Sequence, residues 1–232
     1  MGIHDQKVEI LFYFLLKLPY IDVRPAIRSG VKNGNEKMFK KLFQKQTTPA
    51  ERYLNHLNSV FKKTPLLFKE DSLDEDLPDV TTIVYENIPE KGMITSFTYG
   101  LSLGHHPDWR NGRPELTLTV RSDDFAWGRV SGYLANWLRN KCPFSYGNPI
   151  NFGEKIANDS EMDGFLVFAP SIFRDKSNYE NIDIGAGYNI YIKGIYPIYA
   201  TEIDVISTLG LEKFWKHPKF DLYNIHRERI SG

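Results

Sequence analysis

The chain has 232 residues, 41% hydrophobic and 25% charged, a balance that excludes disorder and suits one large domain or one domain with an appendage. Its 29 Lys and Arg offset 29 Asp and Glu, so the basic excess of a nucleic-acid binder is missing. Cys142 is the only cysteine, which excludes an intrachain disulfide and a multi-cysteine zinc site and fits a reducing cytoplasm. Placed just after a predicted helix, Cys142 reads as a small packing residue.

In chain order, the first strong signal is the apolar run at residues 8–16. A bilayer span takes about 20 residues, so the run is too short to cross one. His4-Asp5-Gln6 before it and Pro19-Tyr20 after it do not make a signal peptide, and Gln6 stands where a myristoylation motif needs Ser or Thr. It reads as a buried helix or strand, with a partner-docking patch as the alternative. Residues 31–35, with Gly30 and Gly34, read as a turn. Residues 36–46 form a predicted helix with Met38, Phe39, Leu42 and Phe43 on one face and lysines on a solvated face. Residues 1–47 are therefore expected to be an extension packed on or beside a main domain at 48–232.

Thr48-Pro49-Ala50-Glu51 is a capping-box start, and Tyr53, Leu54, Leu57, Val60 and Phe61 give the helix its stripe. Residues 70–79 read as a solvated acidic loop without calcium-loop spacing. The β-branched run at 80–88 is a strand. At 94–103, Phe97, Tyr99, Leu101 and Leu103 alternate with Ser96, Thr98, Gly100 and Ser102, and 115–121 repeats the pattern with Leu116, Leu118 and Val120 against Glu115, Thr117, Thr119 and Arg121. Period two predicts an antiparallel pair with one buried and one polar face. A helix follows to about Asn140, with Trp127, Val130, Leu134, Trp137 and Leu138 on one side, and Gly128 and Gly132 allow another element to approach closely. Residues 144–153 are loop with a short extended piece. Residues 165–168, apolar on both faces, are a central strand ended by Pro170. A loop holding Gly185 and Gly187 leads to a strand at 188–199, expected to bulge at Gly194. Thr201-Glu202-Ile203-Asp204 is a second capping-box-like start, the helix breaks at Gly210 and resumes through Phe214 and Trp215, and 220–232 is a tail laid over the surface.

Chemistry-bearing side chains are densest in the loop at 104–114. His105, His106 and Asp108 could form an acid–base pair or contribute to a metal site, though two adjacent histidines need a third ligand. Trp109, Arg110 and Arg113 are residue types enriched where proteins bind proteins. Against that, Trp109 could fold back over the sheet and Arg113 could pair with Glu115 or a neighbouring acid. There is no phosphate loop of Walker or Rossmann spacing and no Gly-x-Ser-x-Gly elbow, so no catalytic residue, metal or cofactor is assigned. The candidate partner-binding set is Ser96, Thr98, His105, His106, Asp108, Trp109, Arg110 and Arg113, that is, the loop and the polar strand face. The alternative readings are an enzyme or metal-binding protein using His105, His106 and Asp108, and a structural subunit docking through residues 8–16.

A series of short runs in fixed order resembles the suppressor of fused domain family in its bacterial form. They are Tyr99-Gly100-Leu101-Ser102, Gly112-Arg113-Pro114-Glu115-Leu116, Ala126-Trp127-Gly128, Pro143-Phe144-Ser145-Tyr146-Gly147, Ile150-Asn151-Phe152-Gly153-Glu154, Ser160-Glu161-Met162, Phe165-Leu166-Val167-Phe168-Ala169-Pro170, Tyr196-Pro197-Ile198 with Glu202, and Gly210 with Phe214-Trp215. The resemblance covers about residues 48–230. It implies an α+β domain with a mixed, largely antiparallel sheet flanked by helices, and no known catalytic residues. Animal members grip a Gli peptide by adding it to their strands between two domains, a region that falls near 96–108 here. Bacterial single-domain members are proposed as immunity proteins against toxins. The resemblance therefore implies a non-enzymatic, cytoplasmic protein-binding domain, an immunity protein whose partner is a bacterial toxin; the balanced charge, the short apolar run and the missing motifs lead to the expectation of no nucleic acid, no membrane span and no cofactor.

Overall fold

The structure, a computed structural model, describes residues 47–231, so the apolar run, the turn and the short helix expected before residue 47 lie outside the described residues. The capping box forms as read. Thr48 Oγ1 accepts from Glu51 N–H at 3.2 Å, and Glu51 Oε2 accepts from Thr48 N–H at 2.7 Å. Helix α1 (Pro49–Phe61) follows and stops where Lys62 turns left-handed.

Strand β1 (Leu66–Glu70), which period-two reading overlooked, comes directly after Pro65. Then come β2 (Val80–Glu86), β3 (Ile94–Tyr99), β4 (Arg113–Val120) and α2 (Phe125–Leu138). After these run β5 (Pro149–Asn151), β6 (Gly164–Phe168), β7 (Ile182–Asp183), β8 (Asn189–Ile198), α3 (Glu202–Leu209) and α4 (Leu211–Trp215). One sheet runs β1-β2-β3-β4-β8-β6-β5, with β7 also paired to β8. Every pairing is antiparallel except β4 with β8. The fold is thus α+β, built on a mixed, largely antiparallel sheet flanked by helices.

Both faces of the central strands are covered. Leu116, Leu118 and Val120 pack with Trp127, Val130 and Leu134 of α2 in one cluster. Ile83, Tyr85 and Phe97 pack with Tyr53 and Leu57 of α1 in a second. Leu166, Tyr196 and Ile198 pack with Val205, Ile206 and Phe214 in a third. Helix α2 lies close because its glycines permit it. A Cβ on Gly128 would sit 3.1 Å from the Val84 methyls, and one on Gly132 would sit 1.9 Å from Thr82 Oγ1.

Several expectations change. Strand β3 ends at Tyr99, because Gly100 adopts φ 131° and residues Leu101–Leu103 close a 3₁₀ turn instead of extending the alternation. Glu70 is not in a solvated loop; it ends β1, is buried, and meets Arg129 at 3.3 Å. Thr201 caps nothing with its side chain. Its neighbour Glu202 is buried and accepts from Arg227 Nη1 at 2.7 Å, Ile230 N–H at 2.8 Å and Tyr199 N–H at 3.0 Å. The C-terminal segment is accordingly tied into the protein, with Phe220, Ile225, Arg227 and Ile230 all buried. Register runs unbroken through Gly194, which faces Thr117 of β4 on one side and Phe168 of β6 on the other, so β8 changes partner there without a bulge.

Candidate binding site

The site is built where β3 and β4 part. Their ladder stops at Phe97 opposite Thr117, and Leu116 N–H donates instead to Thr98 Oγ1 at 2.8 Å. Glu115 fills the gap. It is fully buried and accepts from Thr98 Oγ1 at 2.6 Å, Gly100 N–H at 2.8 Å and Ser102 N–H at 3.0 Å. Burial pushes its pKa above the ordinary carboxylate value, while these hydrogen bonds pull the other way. The carboxylate thus moulds the turn at 100–102 from inside.

That turn holds the loop. Arg113 Nη1 donates to Ser102 O at 3.0 Å and to Gly104 O at 3.2 Å, and its guanidinium lies 4.2 Å from the Tyr188 ring centroid. From the end of α2, Arg139 Nη1 donates to Gly100 O at 3.2 Å, and Asn140 Oδ1 accepts from His105 N–H at 2.7 Å. Trp109 is half-buried against the α2-side core, with Nε1–H donating to Pro143 O at 3.0 Å. Trp109 thus folds back onto the core, as one of its two sequence readings has it, while part of its ring lines the surface. Arg113 pairs with backbone carbonyls rather than with Glu115.

Between this loop and the one before β8 lies an open cleft of about 500 Å³. One wall is Trp109, Arg110, Asn111, Gly112 and Arg113; the other is Asp183, Gly187, Tyr188 and Asn189. Gly112, at φ 149°, could not be another residue, since its Cβ would lie 2.3 Å from the Tyr191 ring. The walls meet because β4 and β8 start side by side in the parallel pair, Arg113 opposite Ile190.

Of the expected contact residues, Trp109, Arg110 and Arg113 are brought together in the cleft. Ser96 and Thr98 are not surface residues, which corrects the expectation of an exposed polar strand face. Both are fully buried, Ser96 bonded to Ser131 of α2 at 2.9 Å and Thr98 to Glu115. His105 and Asp108 are exposed and His106 half-buried, and none of the three lines the cleft. His106 Nδ1 accepts from Asp108 N–H at 3.2 Å and lies 3.8 Å from the Asp108 carboxylate, contacts that close a local turn. Among the described residues, no group of three His, Cys, Asp or Glu could hold a metal ion. Sequence reading did not single out Asp183, Tyr188 and Asn189 of the opposite wall. Their one signal was the glycine pair at 185 and 187, which marked a loop but not its neighbour.

A family model described as suppressor of fused protein (SUFU) matches residues 76–228. None of the curated proteins compared with the chain matches it. Among solved structures, the fold is similar to that of a SUFU homolog from Neisseria gonorrhoeae FA 1090, with TM-score 0.60 and 18% identity over 78% of this chain and 97% of that one. It is also similar to Drosophila Suppressor of Fused, with TM-score 0.51 and 13% identity over 75% of this chain and 49% of that one. A chain of a Sufu–Fu complex matches with TM-score 0.51 and 12% identity, covering 78% of this chain and 91% of that one. At such identities the structural likeness speaks for fold alone. No helix among the described residues is long and apolar enough to cross a membrane.

Proposed function

Starting from the chain's membership of the suppressor of fused family, we propose that its task is to bind another protein and that it performs no catalysis. The binding surface is the cleft between residues 109–113 and 183–189. The observation that carries this reading is the preformed state of the cleft walls. Arg113 is held by two carbonyls and a tyrosine ring, and Trp109 by Pro143. Side chains already ordered before binding spare a partner the cost of ordering them. The solved relative crystallised as a Sufu–Fu complex is a protein bound to a protein, in keeping with this reading.

The finer reading is that the partner is a bacterial toxin and the chain a cytoplasmic immunity protein. Its supports are the resemblance to the bacterial form, the match that covers 97% of the gonococcal homolog, and the lone thiol, which suits a reducing compartment. The test is capture from native cell lysate with the full chain as bait, read by mass spectrometry with stoichiometry. One near-stoichiometric partner is expected, and the exposed substitution Arg110→Glu should cut its recovery by roughly tenfold while leaving the Tm almost unchanged. Undiminished recovery with Arg110→Glu would move the interface elsewhere. A captured partner that does not slow growth when expressed without this chain would end the toxin reading.

A further inference from the structure

The cleft carries more positive than negative charge, two arginines against one aspartate in its described lining. Arg110 and Arg113 line it, and neither forms an ion pair with an acid among the described residues. Asp183 is the one acid in the lining, and its Oδ1 is taken by Gly185 N–H at 2.7 Å. Outside the lining, Arg52 lies against Gly185, where a Cβ would come within 2.3 Å of its Nη1. The state of Arg113 is the informative part. Nη1 is spent on Ser102 O and Gly104 O, and the guanidinium is fixed over Tyr188, while Nε and Nη2 have no hydrogen-bond partner among the described residues. Nε–H and Nη2–H form the side-on fork of a guanidinium, whose spacing matches the two oxygens of a carboxylate.

We propose that the partner segment seated in this cleft presents an Asp or Glu side chain to the Arg113 fork, with Arg110 as the second cation. The proposal rests on the protein-binding reading above and adds the chemistry of what is bound. Arg113 acts as a clamp whose geometry is set in advance, so the carboxylate meets a rigid fork. Arg110, exposed and free to move, supplies charge more than direction. The half-open polar form of the cleft suits an extended segment with its backbone near Gly112, where no side chain intervenes.

The test is affinity selection of acetylated, C-terminally amidated dodecapeptides on the full chain, read by mass spectrometry. Amidation leaves side-chain carboxylates as the only anions. The expected result is enrichment of Asp or Glu at one position relative to a fixed anchor. For a selected peptide, its own Glu→Gln change and Arg113→Gln in the protein should each weaken binding by roughly tenfold, and the two together by little more than either alone. Arg113→Lys keeps the charge but loses the fork and should not restore affinity. Because Arg113 also anchors the loop, Arg110→Gln provides a second arm on an exposed side chain, expected to weaken binding and its salt dependence together. Peptides that bind in the cleft without acidic preference, or additive losses in the double change, overturn the carboxylate and leave the protein-binding reading standing. Peptides retained equally by Asn111→Trp, which fills the cleft from an exposed loop position, overturn the site itself.

Discussion

At the scale of single residues, Glu115 is the group on which the loop depends. Removing its carboxylate would leave Gly100 N–H and Ser102 N–H buried without acceptors, so Glu115→Ala should cost about 3 kcal/mol by chemical denaturation. Its pH dependence has a definite sign. Burial raises the folded-state pKa above the unfolded value, so the stabilising contribution is fully present below the ordinary carboxylate pKa and is lost as pH rises through the folded value. The stability of the wild type relative to Glu115→Gln, followed by Tm from about pH 4 upward, should therefore fall with pH; a gap that widens with pH would contradict the burial argument. Glu115 also marks what the sequence could show. Its alternation with Leu116 and Leu118 revealed two faces but not whether either was wet. Ser96 and Thr98 look like solvent residues in a list of side chains, yet α1 and α2 cover opposite faces, and their hydroxyls bond within the core. Trp109 and Arg113 stand out as cleft-lining candidates because a Trp and two Arg in one loop are costly to hide.

Among the elements, helix α2 sits close on strand β2. Alanine is the better helix former by about 1 kcal/mol, so Gly132→Ala would be stabilising on an open helix face. Here the added methyl meets Thr82 Oγ1 at 1.9 Å with Glu70 Cγ and Thr82 Cβ close behind, and overpacking should win by about 2 kcal/mol of net destabilisation. Thr82→Ala should recover part of that loss in the double variant, because it removes the nearest atom; additive losses in denaturant melts would refute direct contact. Helices α1 and α2 could be read from capping residues and apolar stripes, since their signals are local. The strands were harder. Strand β1 is short and follows Pro65 closely, and the end of β3 is decided by the backbone of Gly100, whose positive φ no alternation pattern encodes.

Over the whole molecule, the C-terminal segment returns to lock α3. Arg227 and Glu202 are both nearly inaccessible, and Arg227 also sits near the faces of Phe220 and Tyr199. Removing one partner of such a pair strands the other, so Arg227→Ala should cost about 3–5 kcal/mol and raise proteolysis of the segment after Trp215. Changing both, as Arg227→Met with Glu202→Gln, should cost much less than Arg227→Ala alone. An urea titration of the three variants checks the ordering. This pair was hidden from the sequence because Glu202 occupies a position that a helix start explains by itself. The cleft was hidden for a similar reason. Its walls lie far apart in the chain, and only the parallel pairing of β4 with β8 makes them neighbours.

Strand β8 also sets an order in time. It pairs with β4, β6 and β7, yet it is made after all three. A ribosome adding roughly 5–20 residues each second therefore leaves the β4 edge bare for some seconds before its neighbour emerges. During that wait, Arg113–Thr117 offers unpaired amides and carbonyls to any strand nearby, including that of another nascent copy. Chains cut before Asn189 should consequently associate through that edge, while full-length chains, once β8 has arrived, should have no such edge to offer.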